Sequence, residues 1–369
     1  MRMAALGLVP PLGTAADPTS ALEVLRRVGA LQAQDYSSGA WSLGIRSGLT
    51  AQQVEAAVRA REVVRTWPMR GTLHWVPAED ARWMCELLAA PRGTTLATRF
   101  AQLGITEADV ALAGRLFEEH LREPMSRPDV AALLGRHGID PTGQRSYHLI
   151  GHSCMSGLIC QGPLIGKQPS LVLIDAWVPH SRKVSREEGL SIVAERYVRG
   201  HGPVTEKDLA GWLLKPLSLT REALALVQDR LVRETLDGQV WLTHVDARPV
   251  PAATGAVHLL PQWDELLLGY RSRDVTLPPE HLATVVASRN MVFKPTLVVD
   301  GEVAGNWRRV QRRTHVCVEV QPFRELSARR WEGVERAAAA YAAFAGTEAR
   351  VVRVGPAAAS PAGPKAGSD

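Results

Sequence analysis

One local pattern, used three times, constrains this chain more than any other feature. A Ser or Thr opens an amphipathic helix, and a two-stranded hairpin follows some tens of residues later. The openings are Thr50-Ala-Gln-Gln-Val-Glu-Ala-Ala-Val58, Ser126-Arg-Pro-Asp-Val-Ala-Ala-Leu-Leu134 and Thr205-Glu-Lys-Asp-Leu-Ala-Gly-Trp-Leu213. Each offers a hydroxyl to the unpaired N–H groups of the first turn, a polar acceptor three residues on, and aliphatics along one face. The openings are 126 − 50 = 76 and 205 − 126 = 79 residues apart. The hairpin candidates are Val64 to Val76, turning near Arg70-Gly71, Leu158 to Val178, with Gly162 and Gly166 at turns, and Glu234 to Val245, turning at Asp237-Gly238. Asp-Gly between alternating residues is a strong hairpin signal. Helices followed by a β-hairpin wing, three times over, predict an α+β chain of three tandem winged-helix modules. A generic α+β protein whose capped helices are alike by chance is the alternative.

After about residue 256 the pattern changes to extended, β-branched segments: Val292 to Val299, a turn at Asp300-Gly301, Val303 to Gln311 and Thr314 to Val320. A helix from Leu326 to Ala345 and a strand from Ala349 to Val354 complete a β-rich end. The tail is rich in Ala, Pro, Gly and Ser and cannot bury enough apolar surface to order itself. The expected division is therefore 1–105, 106–184 and 185–255 for the three winged helices, 256–354 for the β-rich domain and 355–369 for a disordered tail. A length of 369 residues accommodates that many units.

Composition narrows the function only a little. The 43 Lys and Arg exceed the 38 Asp and Glu by five, and only six are Lys, so 43 − 6 = 37 are Arg. Guanidinium forks suit phosphate contact, but Ala, Gly, Arg and Pro richness also follows from a GC-rich coding sequence, so only the placement of the arginines is informative. The four Cys (Cys85, Cys154, Cys160, Cys317) are scattered without a C-x-x-C, which supports neither a metal site nor a disulfide framework and points to reduced thiols. The apolar run Ala4 to Val9 is too short for a signal-peptide core or a membrane span. A soluble, cytoplasmic protein is expected, and a monomer, because no long apolar stripe lies outside the repeat cores.

Three constellations could carry chemistry. Leu31-Gln32-Ala33-Gln34-Asp35 follows a helix opened by Asp17-Pro18 or Thr19, and in an extended exit Gln32 and Gln34 project to the same side, so two amides could converge on one ligand. Two surface glutamines are the plainer reading of that pair. Arg65-Thr-Trp-Pro-Met-Arg70-Gly71-Thr72-Leu73-His74-Trp75 surrounds a hairpin with basic, aromatic and hydroxyl groups, and Arg70, Thr72 and His74 are candidates for nucleic-acid contact. Asn306-Trp307-Arg308-Arg309-Val310-Gln311-Arg312-Arg313 puts four Arg within six positions, suited either to phosphate neutralisation or to pairing with acids such as Glu319 or Glu302. Pro261-Gln-Trp263-Asp264-Glu-Leu-Leu-Leu-Gly-Tyr270 is expected to be structural. Phosphate-loop, dinucleotide, zincin, nucleophile-elbow and zinc-deaminase signatures are absent, and no cofactor is expected.

Taken in order, L-Q-A-Q-D at Leu31 to Asp35, W-P-M-R-G-T-L-H at Trp67 to His74, Q-W-D-E-L-L-L-G-Y at Gln262 to Tyr270 and D-G-E-V-A-G-N-W-R-R at Asp300 to Arg309 resemble the AlkZ/YcaQ-like winged-helix DNA glycosylases of bacteria. The resemblance runs from about Ala21 to Val354. It implies a C-shaped scaffold of three winged helices plus a C-terminal β-barrel-like domain, holding duplex DNA in a basic channel, and removal of N7- or N3-alkylated purines, bulky adducts and some interstrand crosslinks. The family's catalytic motif, Gln, an aliphatic residue, then Gln or Asp, falls on Gln32-Ala33-Gln34, the Gln/Gln form found in the branch that includes self-resistance enzymes for DNA-alkylating antibiotics. The segment ahead of this motif is short for the family, which points to a start upstream of Met1. Arg70, Thr72, His74, Arg308, Arg309, Arg312 and Arg313 are then the expected DNA contacts, double-stranded DNA with an alkylated purine the partner, and the nucleoid the place of work. A non-catalytic winged-helix DNA binder or transcription regulator is the competing reading, which leaves the paired amides without a purpose.

Overall fold

The computed structural model describes residues 1–9, 20–89, 94–248, 250, 255–286 and 292–356. Asp17 to Thr19, expected to open the first long helix, and residues 357–369 of the expected disordered tail lie outside them. Ser20 caps that helix instead: its hydroxyl accepts from the Glu23 N–H at 3.1 Å while the Glu23 carboxylate accepts from the Ser20 N–H at 2.9 Å. The helix Ala21–Val28 stops at Gly29, whose φ of +84° suits only glycine, and the chain enters a two-residue strand, β1 (Leu31–Gln32). The helix thus ends four residues before Gln32, and the first glutamine stands on a strand.

The three repeated openings fold as their sequences dictate. Thr50, Ser126 and Thr205 each accept from the backbone three residues on and open the helices Ala51–Arg59, Arg127–Arg136 and Glu206–Leu213. The hairpins also form. β2 (Val63–Met69) and β3 (Thr72–Pro77) turn through Arg70 and Gly71, both at positive φ. β4 (Ile159–Ile165) and β5 (Gln168–Leu173) turn at Gly166. Gly162 makes no turn; it lies inside β4 where the register slips between Gln161 and Leu164, and the flank of β5 leaves a side chain there little room. β6 (Leu231–Leu236) and β7 (Gln239–His244) turn at Asp237-Gly238.

The first two hairpins do not stand apart. They join in one sheet of order β1-β3-β2-β4-β5, with β2 and β4 bridged at Arg65 and Gln161. The third hairpin is a separate ribbon, bridged to the chain ahead of it between Val204 and Leu242, with Leu231 and Leu242 reaching the core and His244 meeting Arg199. The C-terminal part forms a third sheet of order β12-β11-β10-β9-β8, comprising β8 (Val257–Leu260), β9 (Thr296–Val299), β10 (Glu302–Gln311), β11 (His315–Pro322) and β12 (Glu348–Arg353). β8 is the strand that sequence patterning misses, because its four residues follow a Pro- and Ala-rich stretch. The sheet is open, with β8 and β12 at its edges, so it makes a half-barrel and not a closed one.

The two ends of the chain pack together. The helix Tyr36–Ser47 lies against Ala328–Ala345 near its C-terminal end: Trp41 meets Tyr341 edge-on at 5.2 Å and donates to the Leu259 carbonyl at 2.7 Å. Consecutive buried acids of the Gln262 to Tyr270 motif each capture an arginine from the N-terminal part, Arg46 buried and Arg70 half-buried. Asp264 takes Arg46 through two oxygens, both at 2.8 Å, and Glu265 lies 3.6 Å from Arg70. Removing one member of a buried pair costs about 3–5 kcal/mol, so this motif anchors the hairpin beside it.

Candidate active site

The antiparallel pairing of β1 with β3 brings together two motifs some forty residues apart. Leu31 lies opposite Trp75 and Gln32 opposite His74, with Thr66 of β2 next in the row. Opposed side chains share a face, about 5 Å apart at Cβ, so Gln32 and His74 are neighbours, and Thr72, two residues before His74, shares their face. The ladder ends just beyond Gln32. The Ala33 N–H still reaches the Leu73 carbonyl at 2.8 Å, and the Gln34 side-chain carbonyl accepts from the Leu73 N–H at 3.1 Å, replacing the next backbone rung. Gln34 is exposed. Gln32 is buried, and its Oε1 has no hydrogen-bond partner; the hydroxyl of Thr72 is likewise buried and unpaired. Such orphaned acceptors are uncommon in folded proteins and mark places where water or a ligand belongs.

His74 cannot satisfy Gln32, because both of its ring nitrogens are taken. Nδ1 lies 2.9 Å from the Thr72 carbonyl and Nε2 2.9 Å from Arg70 Nη2. The guanidinium can only donate, so Nε2 accepts and the proton sits on Nδ1. Burial, reinforced by Arg70, pushes the His74 pKa down to about 3, and the ring is neutral at physiological pH. Arg70 in turn faces Glu265. Burial opposes ionisation of Glu265, but His201 and Arg70 outweigh it and hold the carboxyl at about 2. Arg70 and His74, expected on a DNA-facing wing, therefore point into a charge network behind the glutamines.

The turn after Gln34 is equally tied down. Asp35 caps the helix Tyr36–Ser47, accepting from Ser38 N–H and from the Ser37 hydroxyl, each at 2.7 Å. Burial raises its pKa, but these bonds prevail and the carboxyl titrates below its ordinary range. Tyr36 donates to Glu55 at 2.8 Å and Glu55 accepts from Leu164 N–H at 2.9 Å, so both carboxylates flanking the segment are occupied. Gly39 of the same helix lies directly against the backbone of Ala33, where a Cβ would come within 2.5 Å of the Ala33 methyl.

The four arginines at the end of β10 and in the turn after it separate into three roles. Arg309 reaches back across the molecule: it donates to the Ser37 hydroxyl and, at 3.2 Å, to Tyr341, and lies 3.6 Å from Asp35. Arg308 is paired with Glu319 on the neighbouring strand. Arg312 and Arg313 are exposed, and their guanidinium groups have no partner among the described residues.

Arg65 is a site residue that sequence reasoning misses. It sits in β2, buried, and donates to the Ala33 carbonyl at 2.8 Å, to the Gln34 carbonyl at 3.1 Å and to the side-chain oxygen of Gln161. Nothing local marks it, since its partners come from β4 and from the segment after β1.

The site so assembled offers two amides, one buried with a free carbonyl oxygen and one exposed, and no available carboxylate or charged imidazole. It can orient water and stabilise developing charge through dipoles, but it is a poor proton abstractor. Among the described residues no group of three or more His, Cys, Asp or Glu is placed to hold a metal, and no helix is long and apolar enough to cross a membrane.

A family model described as "DNA glycosylase AlkZ-like" matches residues 25–344. An interstrand DNA cross-link repair glycosylase of Streptomyces sahachiroi is 25% identical over 353 residues, spanning 91% of this chain and 93% of its own length. The solved structure of Streptomyces sahachiroi DNA glycosylase AlkZ has a similar fold, with a TM-score of 0.77 at 23% identity over 95% of this chain and 97% of its own.

Proposed function

The chain belongs to the AlkZ-like DNA glycosylases, hydrolases of N-glycosyl bonds, and we propose that Gln32 and Gln34 are the pair with which it releases N7- and N3-alkylated purines from duplex DNA. The observation that carries this reading is the buried, unpartnered Oε1 of Gln32, set beside a His74 whose nitrogens are both engaged. An N7-alkylated guanine is cationic, so its glycosidic bond is already weak and the base leaves neutral. Catalysis then requires a positioned water and a dipole that favours the developing oxocarbenium, not a strong base. Gln32 accepts from the water; Gln34, held by Leu73, presents its amide N–H groups to the water or to a sugar or phosphate oxygen.

Bulky adducts and interstrand crosslinks are the substrates that need such a site most, and the relative named as a cross-link repair glycosylase favours them. An adduct that bridges strands cannot rotate into a closed pocket, so the base is cut in an open groove without full flipping. The scaffold is three winged helices, at 1–105, 106–184 and 185–255, with a half-barrel at 256–354, wrapped around the duplex as a monomer in the cytoplasm at the nucleoid. Arg309 sits at the cutting site, Arg308, Arg312 and Arg313 hold phosphates, and Arg70, Thr72 and His74 back the glutamines from inside the protein instead of touching DNA. The third hairpin enters the minor groove. Its wedge is Leu236, 63% exposed at the tip, while Trp241 lies under Arg2. Self-resistance to a DNA-alkylating antibiotic is the role that fits this substrate range.

The test is base release by the purified protein from duplexes carrying N7-methylguanine, a bulky N7 adduct, an N7 crosslink or no lesion. Release from all three lesions and none from undamaged DNA is expected. Release from N7-methylguanine alone removes the open-groove reading, and binding without any release assigns the protein to the non-catalytic DNA binders.

A further inference from the structure

We propose that Arg65 is a positioning residue for the reaction, holding the backbone of Ala33 and Gln34 so that both glutamines keep a fixed geometry. The inference rests on the assignment of Gln32 and Gln34 above. β1 ends at Gln32, so the segment carrying the second glutamine has left the sheet and lost its regular backbone partners. Arg65 supplies substitutes. Nε donates to the carbonyl of Ala33 at 2.8 Å and Nη2 to that of Gln34 at 3.1 Å, while Nη1 donates to Gln161, whose backbone is bridged to that of Arg65. A planar fork with fixed donor directions holds two successive carbonyls at a set spacing, which a flexible ammonium cannot.

Arg65 is 5% exposed and, among the described residues, no carboxylate lies within ion-pair distance of its guanidinium, although Tyr36 lies beneath it at 5.5 Å. A buried cation is costly, and an apolar residue would fill the space without that cost, so its presence points to a requirement for those two carbonyl contacts. The second hairpin enters the site through the same residue: Gln161 orients the outer arm of the guanidinium, which makes residues from two hairpins jointly responsible for the geometry of the glutamines.

The test is a double-mutant cycle in single-turnover base release on N7-methylguanine DNA, using Arg65→Lys, Gln34→Ala and the double variant, with undamaged-duplex affinity and thermal midpoint measured for each. Arg65→Lys keeps the charge but loses the fork. It is expected to slow the chemical step by about 10²-fold, the scale of a 1 Å misplacement, with duplex affinity changed less than threefold, and to cost clearly less in the Gln34→Ala background, where only Gln32 remains to be positioned. Equal losses in both backgrounds, or no loss in the single variant, would overturn the proposal. A loss for Arg65→Lys with none for Gln34→Ala would instead overturn the glutamine assignment on which it rests. Should Arg65→Lys unfold, Gln161→Met gives the same comparison, with a smaller loss expected because only one of the three hydrogen bonds goes; no loss in that variant counts against the proposal.

Discussion

Gly39→Ala adds one methyl group to the packing that fixes the two glutamines. An ideal Cβ at Gly39 lies 2.5 Å from the Ala33 methyl, 2.8 Å from Ala33 Cα and 2.9 Å from Trp75 Nε1. Ordinary carbon contacts begin near 3.5 Å, so Ala33 or the helix must give way by about 1 Å. Ala33 is joined on either side to Gln32 and Gln34, and Arg65 and Leu73 hold its flanks, so the displacement passes directly into the pair. Overpacking of this kind costs about 1–3 kcal/mol of stability, and a 1 Å error at reacting groups costs about 10²-fold in rate. The control is Gly44→Ala, five residues along the same helix, where a Cβ meets the Phe344 ring but not Ala33. Single-turnover release from N7-methylguanine DNA and thermal midpoints should show comparable destabilisation in the two variants, with a large rate loss confined to Gly39→Ala. Equal rates in the two variants, at equal destabilisation, would refute the reasoning.

Two further outcomes follow from the electrostatics. His74 and Glu265 both have folded-state pKa values below their ordinary ones, about 3 against 6.5 and about 2 against 4.5. The unfolded chain therefore binds more protons in acid; the stability from His74 is complete above pH 6.5 and drains as pH falls towards 3, with that from Glu265 added to the loss below 4.5. The thermal midpoint should decline from pH 6.5 downward, and His74→Gln should flatten the part of the curve between 6.5 and 4.5; an unchanged curve would mean that the ring is not held neutral. Charge reversal at Arg312 and Arg313, exposed and unpaired, should flatten the salt dependence of duplex binding by roughly two units of log K per log salt, about 0.9 for each phosphate no longer neutralised, whereas reversal at Arg308, already paired with Glu319, should flatten it by less. Equal slopes for wild type and the Arg312, Arg313 double variant would place that ribbon away from DNA.

Local chemistry is legible in the sequence and long-range register is not. The caps at Thr50, Ser126 and Thr205 and the turns at Arg70-Gly71 and Asp237-Gly238 are decided within a few residues, and all five form. The period of an extended chain predicts Gln32 and Gln34 on one side; the strand ends at Gln32, and the side chain of Gln34 turns to the Leu73 N–H. The partner strand is not legible. The pairing of Gln32 with His74 joins segments separated by two helices, and no residue near either end announces it. The same limit hides Arg65 and misdirects Arg70, whose basic side chain on a hairpin suggests an outward wing, while its buried acid lies 195 residues away in sequence, at Glu265. Gly162 shows a smaller version of the problem: glycine fits a bulge as well as a turn, and only the opposing strand decides.

The central claim is that two neutral amides carry the hydrolysis. Its most direct measurement is the rate of base release from a duplex with a single N7-methylguanine, for wild type, Gln32→Ala, Gln34→Ala and the double variant, at saturating enzyme. Each single variant is expected to be slower by about 10²-fold or more with duplex affinity retained, and the double variant slower by much less than the product of the two, as for groups acting on one water. Undiminished release by the double variant would contradict the account.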